Sequence, residues 1–69
     1  AESYLDQPAE TDELAVALAQ LPRRRRAVVV LRFYQQLELA DIADTLGVSV
    51  GTVKSTLNRA LAQLRGTLG

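Results

Sequence analysis

A chain of 69 residues, nearly half of them apolar, can build one small domain and no more. It holds no Cys and no His, which excludes disulfides, thiolate chemistry, the usual zinc ligand sets and the commonest general base. Its zero net charge is unevenly laid out: five acids and no base up to Pro22, then eight bases against three acids, a balance of +5, with no acid after Asp44.

Residues 1–10 are polar and acidic, include Pro8, and carry little periodic signal; they read as the remnant of an acidic linker. The absence of an initiating Met gives the same expectation, of a piece taken from something longer. The domain is expected over residues 11–69. Leu, Ala and Val do most of the filling and only Tyr4, Phe33 and Tyr34 are aromatic, which favours an all-α bundle. No apolar run approaches a membrane span, and no signal peptide is expected.

A first helix is predicted over Thr11–Gln20, with Leu14, Ala17, Leu18 and Leu21 as its buried face. Those leucines are expected to meet Val28, Leu31, Leu61 and Leu64. Pro22 stops this helix and suits the first position of the next, predicted over Pro22–Gln35. Arg23, Arg24, Arg25 and Arg26 then fall in a first turn, where the helix dipole disfavours cations. Two readings stay open for them: salt bridges to the acidic first helix plus solvation, or contact with phosphates or an acidic partner. Val28 to Leu31 is β-branched but lies in a helical frame, with Ala27, Val30, Leu31 and Tyr34 on one face. Phe33 and Tyr34 are read as core or rim packing.

Gln35, Gln36 and Leu37 break the periodicity, and Glu38 opens a third helix as a modest cap, predicted over Leu39–Leu46. Leu39, Ile42, Ala43 and Leu46 share one of its faces. Gly47 suits the left-handed residue that closes a helix, and Ser49 suits the N-cap of a fourth, Val50–Thr67. Val53, Leu57, Ala60, Leu61, Leu64 and Leu68 form its apolar stripe; Lys54, Ser55, Asn58, Arg59 and Arg65 point elsewhere. Gly51 stands in its first turn, for close approach to DNA or for tight packing on the third helix. A small residue at the helix crossing (Ala43) with a glycine four residues on is the helix-turn-helix pattern, which lays its second helix in the major groove of DNA. The bases gather around it, which raises the case for a polyanion. No nucleophile, base and orienter can be assembled from these residue types, so no enzyme is expected.

From Leu21 to Leu64 the chain resembles region 4, the C-terminal domain, of bacterial RNA polymerase sigma factors, most closely the extracytoplasmic-function group. The likeness rests on Leu21-Pro22, on Val30-Leu31-Arg32 followed by an aromatic pair, on Ile42-Ala43, and on LGVSVGTVKS from Leu46 to Ser55. It implies a four-helix domain that recognises the promoter −35 element in double-stranded DNA. It also implies a hold on the β flap of the RNA polymerase core, an anti-sigma factor, a cytoplasmic setting, and no cofactor, metal or small-molecule substrate. The family's base-reading positions fall on Lys54, Ser55, Asn58 and Arg59. Its phosphate positions fall on Arg32, on the helix start at Ser49, Val50, Gly51 and Thr52, and on Thr56. The chain departs from the family pattern at three places: Thr56 stands for a frequent Arg, Gln36 for a frequent Gly that eases the turn, and Glu38 for a Ser cap near phosphate. Two alternatives are a module that mainly binds protein partners and a response-regulator output domain. Against the second stand the LP…VLR segment and the lack of a dimerising helix after Leu64.

Overall fold

The computed structural model describes residues 9–68, with side chains from residue 13 onward. Among the described residues it is all-helical: α1 (Ala9–Ala19), α2 (Arg23–Val29) running on as a π-helical turn (Val30–Tyr34), α3 (Leu39–Leu46) and α4 (Val50–Leu68). The expected linker residues 1–8 lie outside the described residues, and α1 begins two residues before the predicted Thr11. Pro22 occupies the N-cap of α2, not its first helical position. Its ψ of 151° is extended, while its carbonyl accepts the first helical bond, from Arg26 N–H at 2.9 Å.

Two apolar clusters hold the helices together, and α2 and α4 contribute to both. Ala17, Leu21, Val29, Ala60 and Leu64 form the first, with Leu18, Leu57 and Leu61 against it. Val28, Ile42, Ala43 and Val53 form the second, flanked by Leu31, Leu37, Leu39, Leu46, Val48 and Leu57. Successive helix residues point about 100° apart, so Val28 and Val29 enter different clusters from neighbouring positions. That is how a β-branched run serves as the central helix of a small bundle.

Two packing expectations need correction. Leu14 is 41% exposed; among the described residues, Ala17 and Leu18 of α1 and Leu21 of the turn after it join the first cluster, and Leu14 does not. The partner of α1 on α2 is Val29, while Val28 and Leu31 belong to the helix-turn-helix cluster. Of the two readings for Phe33 and Tyr34, core packing is excluded and the rim remains: they are 53% and 61% exposed. Beyond Val29 the helix widens: Gln35 N–H reaches Val30 O at 3.1 Å and Leu37 N–H reaches Leu31 O at 3.0 Å.

Gln36 closes this turn in the left-handed region, at φ +59°. A side chain there is strained, which glycine would relieve. Gln36→Gly should therefore raise stability by about 1 kcal/mol, measured by chemical denaturation at constant m-value.

Candidate nucleic-acid interface

The α3–α4 unit is built by short-range chemistry that the sequence dictates. Gly47 ends α3 at φ +72°, and Val48 N–H bonds back to Ala43 O at 3.0 Å, the bond of a Schellman motif. A Cβ on Gly47 would meet nothing within 4 Å, so the backbone angle alone selects glycine. Ser49 caps α4: its Oγ accepts Thr52 N–H at 3.1 Å and donates to Thr52 Oγ1 at 3.0 Å. Glu38 holds the N-cap position of α3 with extended backbone, but its side chain makes no capping bond.

Val53, Ala60 and Leu64 bury one face of α4, and Leu57 is half-buried beside them. Lys54, Ser55, Asn58 and Arg59 are all exposed, at spacings that put the four on one opposing face. Ser55 Oγ donates to Thr52 O at 3.1 Å, so it presents lone pairs outward. With no acid after Asp44, this face has no carboxylate of its own helix to oppose an anion. Its groups suit base edges: Lys or Arg donate to guanine O6 and N7, and Asn pairs with adenine through two bonds.

The N-terminal turn of α4 presents Ser49, Val50, Gly51 and Thr52, all exposed, with Thr56 half-buried behind them. A Cβ added to Gly51 would meet only Ser49 Oγ, at an ordinary 3.8 Å. Packing against α3 therefore does not require this glycine, which removes one of its two explanations.

Arg32 is half-buried, and its Nη1 donates to Leu37 O at 2.8 Å. It ties down the strained turn around Gln36, a role that sequence reasoning missed because its acceptor is a backbone atom. The four-arginine run divides in two. Arg25 Nη1 donates to Gln63 Oε1 at 2.9 Å, and Gln63 Nε2 reaches Gln20 O at 3.4 Å, which stitches the α1–α2 turn to α4. Arg26 Nη1 donates to Ala19 O at 3.3 Å. Neutral acceptors thus engage two of the four residues for which salt bridges to the first helix were one reading. Arg23 and Arg24 stay exposed. No group of three or more acids, His or Cys that could hold a metal gathers among the described residues.

Two further surfaces are concave, the first mostly apolar and the second half lined by arginine. A groove of about 520 Å³ is lined by Leu61, Leu64, Arg65 and Leu68. A second, of about 560 Å³, is lined by Arg23, Arg24, Ala27 and Leu46.

Residues 11–64 match the family described as Sigma-70, region 4. An RNA polymerase sigma-E factor from Streptomyces antibioticus is 46% identical over 67 residues, covering 97% of this chain and 37% of that protein. The RNA polymerase sigma factor SigV of Bacillus subtilis is 42% identical over 53 residues, 77% of this chain and 32% of SigV. An ECF RNA polymerase sigma factor SigL from Mycobacterium tuberculosis is 47% identical over 55 residues, 80% of this chain and 31% of SigL. The chain spans about a third of the length of these relatives.

Proposed function

The chain belongs to the sigma-70 region 4 family, and from that premise we propose that it recognises the −35 element of promoters and so helps direct RNA polymerase to initiation. Its role is recognition, with α4 lying in the major groove. Lys54, Ser55, Asn58 and Arg59 read base edges. The capped start of α4, from Ser49 to Thr52, receives a phosphate on its free N–H groups, with Thr56 beside it. Arg32 adds a phosphate contact with the guanidinium donors that Leu37 leaves free. The observation that carries this reading is the exposure of four polar side chains on one face of α4, opposite Val53, Ala60 and Leu64. Family membership also sets aside the response-regulator alternative.

The test is binding of wild type and Asn58→Ala, in the reconstituted polymerase, to a matched and a scrambled −35 duplex. Asn58→Ala should lose about 1–3 kcal/mol of discrimination at one base pair and keep most affinity for the scrambled duplex. Equal losses on both would refute base reading at that position.

Gly51 offers a separate check on how closely DNA approaches. Gly51→Ala should leave stability unchanged or raise it by up to about 1 kcal/mol. It should weaken all duplexes alike, because the added methyl stands between α4 and the sugar-phosphate backbone. Unchanged duplex affinity would remove Gly51 from the interface.

Protein partners form the second half of the proposal. The groove at Leu61, Leu64, Arg65 and Leu68 and the exposed Phe33 and Tyr34 favour docking against apolar protein surface. The polymerase β flap and an anti-sigma factor are the partners this reading assigns, in the cytoplasm. No helix of the described residues is long and apolar enough to cross a membrane.

A further inference from the structure

Val53, Ala60 and Leu64 seat α4 through apolar contact, which has no direction and leaves a helix free to roll about its axis. Ala60, in the middle of that seat, has only a methyl group to resist rolling. Gln63 adds direction. Its Oε1 accepts Arg25 Nη1 from α2 at 2.9 Å, and its Nε2 donates to Gln20 O, just past the end of α1, at 3.4 Å. Among the described residues, no further side-chain hydrogen bond joins α4 to α1, α2 or α3. Arg25 and Gln63 are both half-buried, which limits competition from water. Ser55, Arg59 and Gln63 follow one another at intervals of four, so the bonded residue continues a row that holds two of the exposed side chains assigned to base reading. Gln63 stands about 6 Å along the axis from Arg59.

Granted the base reading proposed above for α4, on which this rests, we propose that Gln63 and Arg25 are positioning residues for DNA recognition. The bond between them fixes the roll of α4 and so aims Ser55 and Arg59 at base edges. With side chains ending about 5–6 Å from the helix axis, a roll of about 20° shifts those ends by about 2 Å. A hydrogen bond to a base edge accepts distances over a range of only about 0.5 Å. Attraction to phosphates varies slowly with distance and hardly responds to such a shift. Loss of the bond therefore weakens specific binding and spares nonspecific binding.

The test is binding of Gln63→Leu, in the reconstituted polymerase, to the matched and scrambled −35 duplexes at several salt concentrations. Leucine is neutral like glutamine and removes both bonds. The ratio of the two affinities should fall about tenfold, through the matched duplex, with the salt slope unchanged. Arg25→Gln should lower the ratio similarly. Arg25→Gln with Gln63→Arg exchanges donor and acceptor at constant net charge, and should restore most of the ratio. An unchanged ratio for Gln63→Leu, equal losses on both duplexes, or no recovery in the exchanged pair would overturn the proposal. A salt slope lowered by about one in Arg25→Gln, with Gln63→Leu behaving as wild type, would assign Arg25 to phosphate and overturn it equally. A wild type unable to separate the two duplexes would instead refute the base reading itself, a failure distinct from that of the bond. Should Gln63→Leu fail to fold, Arg25→Gln against the exchanged pair decides the matter alone.

Discussion

Ile42→Ala should bring the domain close to unfolding at room temperature. Ile42 is 0% exposed and sits among Val28, Ala43 and Val53, where α2, α3 and α4 meet. Its truncation removes buried methyl groups and leaves a cavity that three helices cannot close together, a loss of about 2–5 kcal/mol. A domain of this size has a total stability of only about 3–10 kcal/mol, at the usual contribution per residue. Leu14→Ala is the matched control, since Leu14 is exposed and belongs to neither cluster. It should change stability by no more than about 0.5 kcal/mol. Urea denaturation followed by circular dichroism measures both. A large loss at Leu14 would mean that α1 packs differently from the arrangement described.

That contrast shows where the sequence was legible and where it was not. The α3–α4 unit could be read residue by residue because its determinants are local. Gly47 needs only a positive φ, Ser49 needs only the N–H three residues on, and the α4 stripe needs only helical spacing. The division of α4 into a buried and an exposed face follows from the same periodicity. Leu14 satisfied the periodicity equally well, yet which part of α1 touches α4 is a non-local matter. The aromatic pair could be read only as core or rim, since regular helical spacing fails beyond Val29, where the turn widens into Gln36. Gln36 itself could be suspected of strain as a replacement for glycine, but the extra residue in the turn had no signature. Arg25 bonds to a residue 38 positions away, and Arg32 to a backbone carbonyl. Neither partner can be inferred from charge patterning, which looks for acids. For the binding face the limit is different: spacing and exposure identify which side chains project together, and only DNA can show what each one reads.

The largest functional loss should come from removing both cationic readers together. Lys54 and Arg59 are exposed and separated by more than one turn of α4, so on the proposed reading they would address different base pairs. Neither belongs to an apolar cluster, and Lys54→Ala with Arg59→Ala should leave the denaturation midpoint within about 0.5 kcal/mol of wild type. Each side chain that contacts a guanine edge carries about 1–3 kcal/mol of discrimination, and losses at separated positions add roughly. The double variant should therefore lose about 2–6 kcal/mol on the matched −35 duplex, comparable with the whole gap between specific and nonspecific binding. On a scrambled duplex it should lose only the charge attraction, and the gap between the two duplexes should largely close. The measurement is competition binding of the reconstituted polymerase at several salt concentrations. If the two residues instead touch only phosphate, both duplexes would weaken alike and the salt slope would fall by about two. The reading face would then reduce to Ser55 and Asn58, too few groups to specify a promoter element without help from DNA shape.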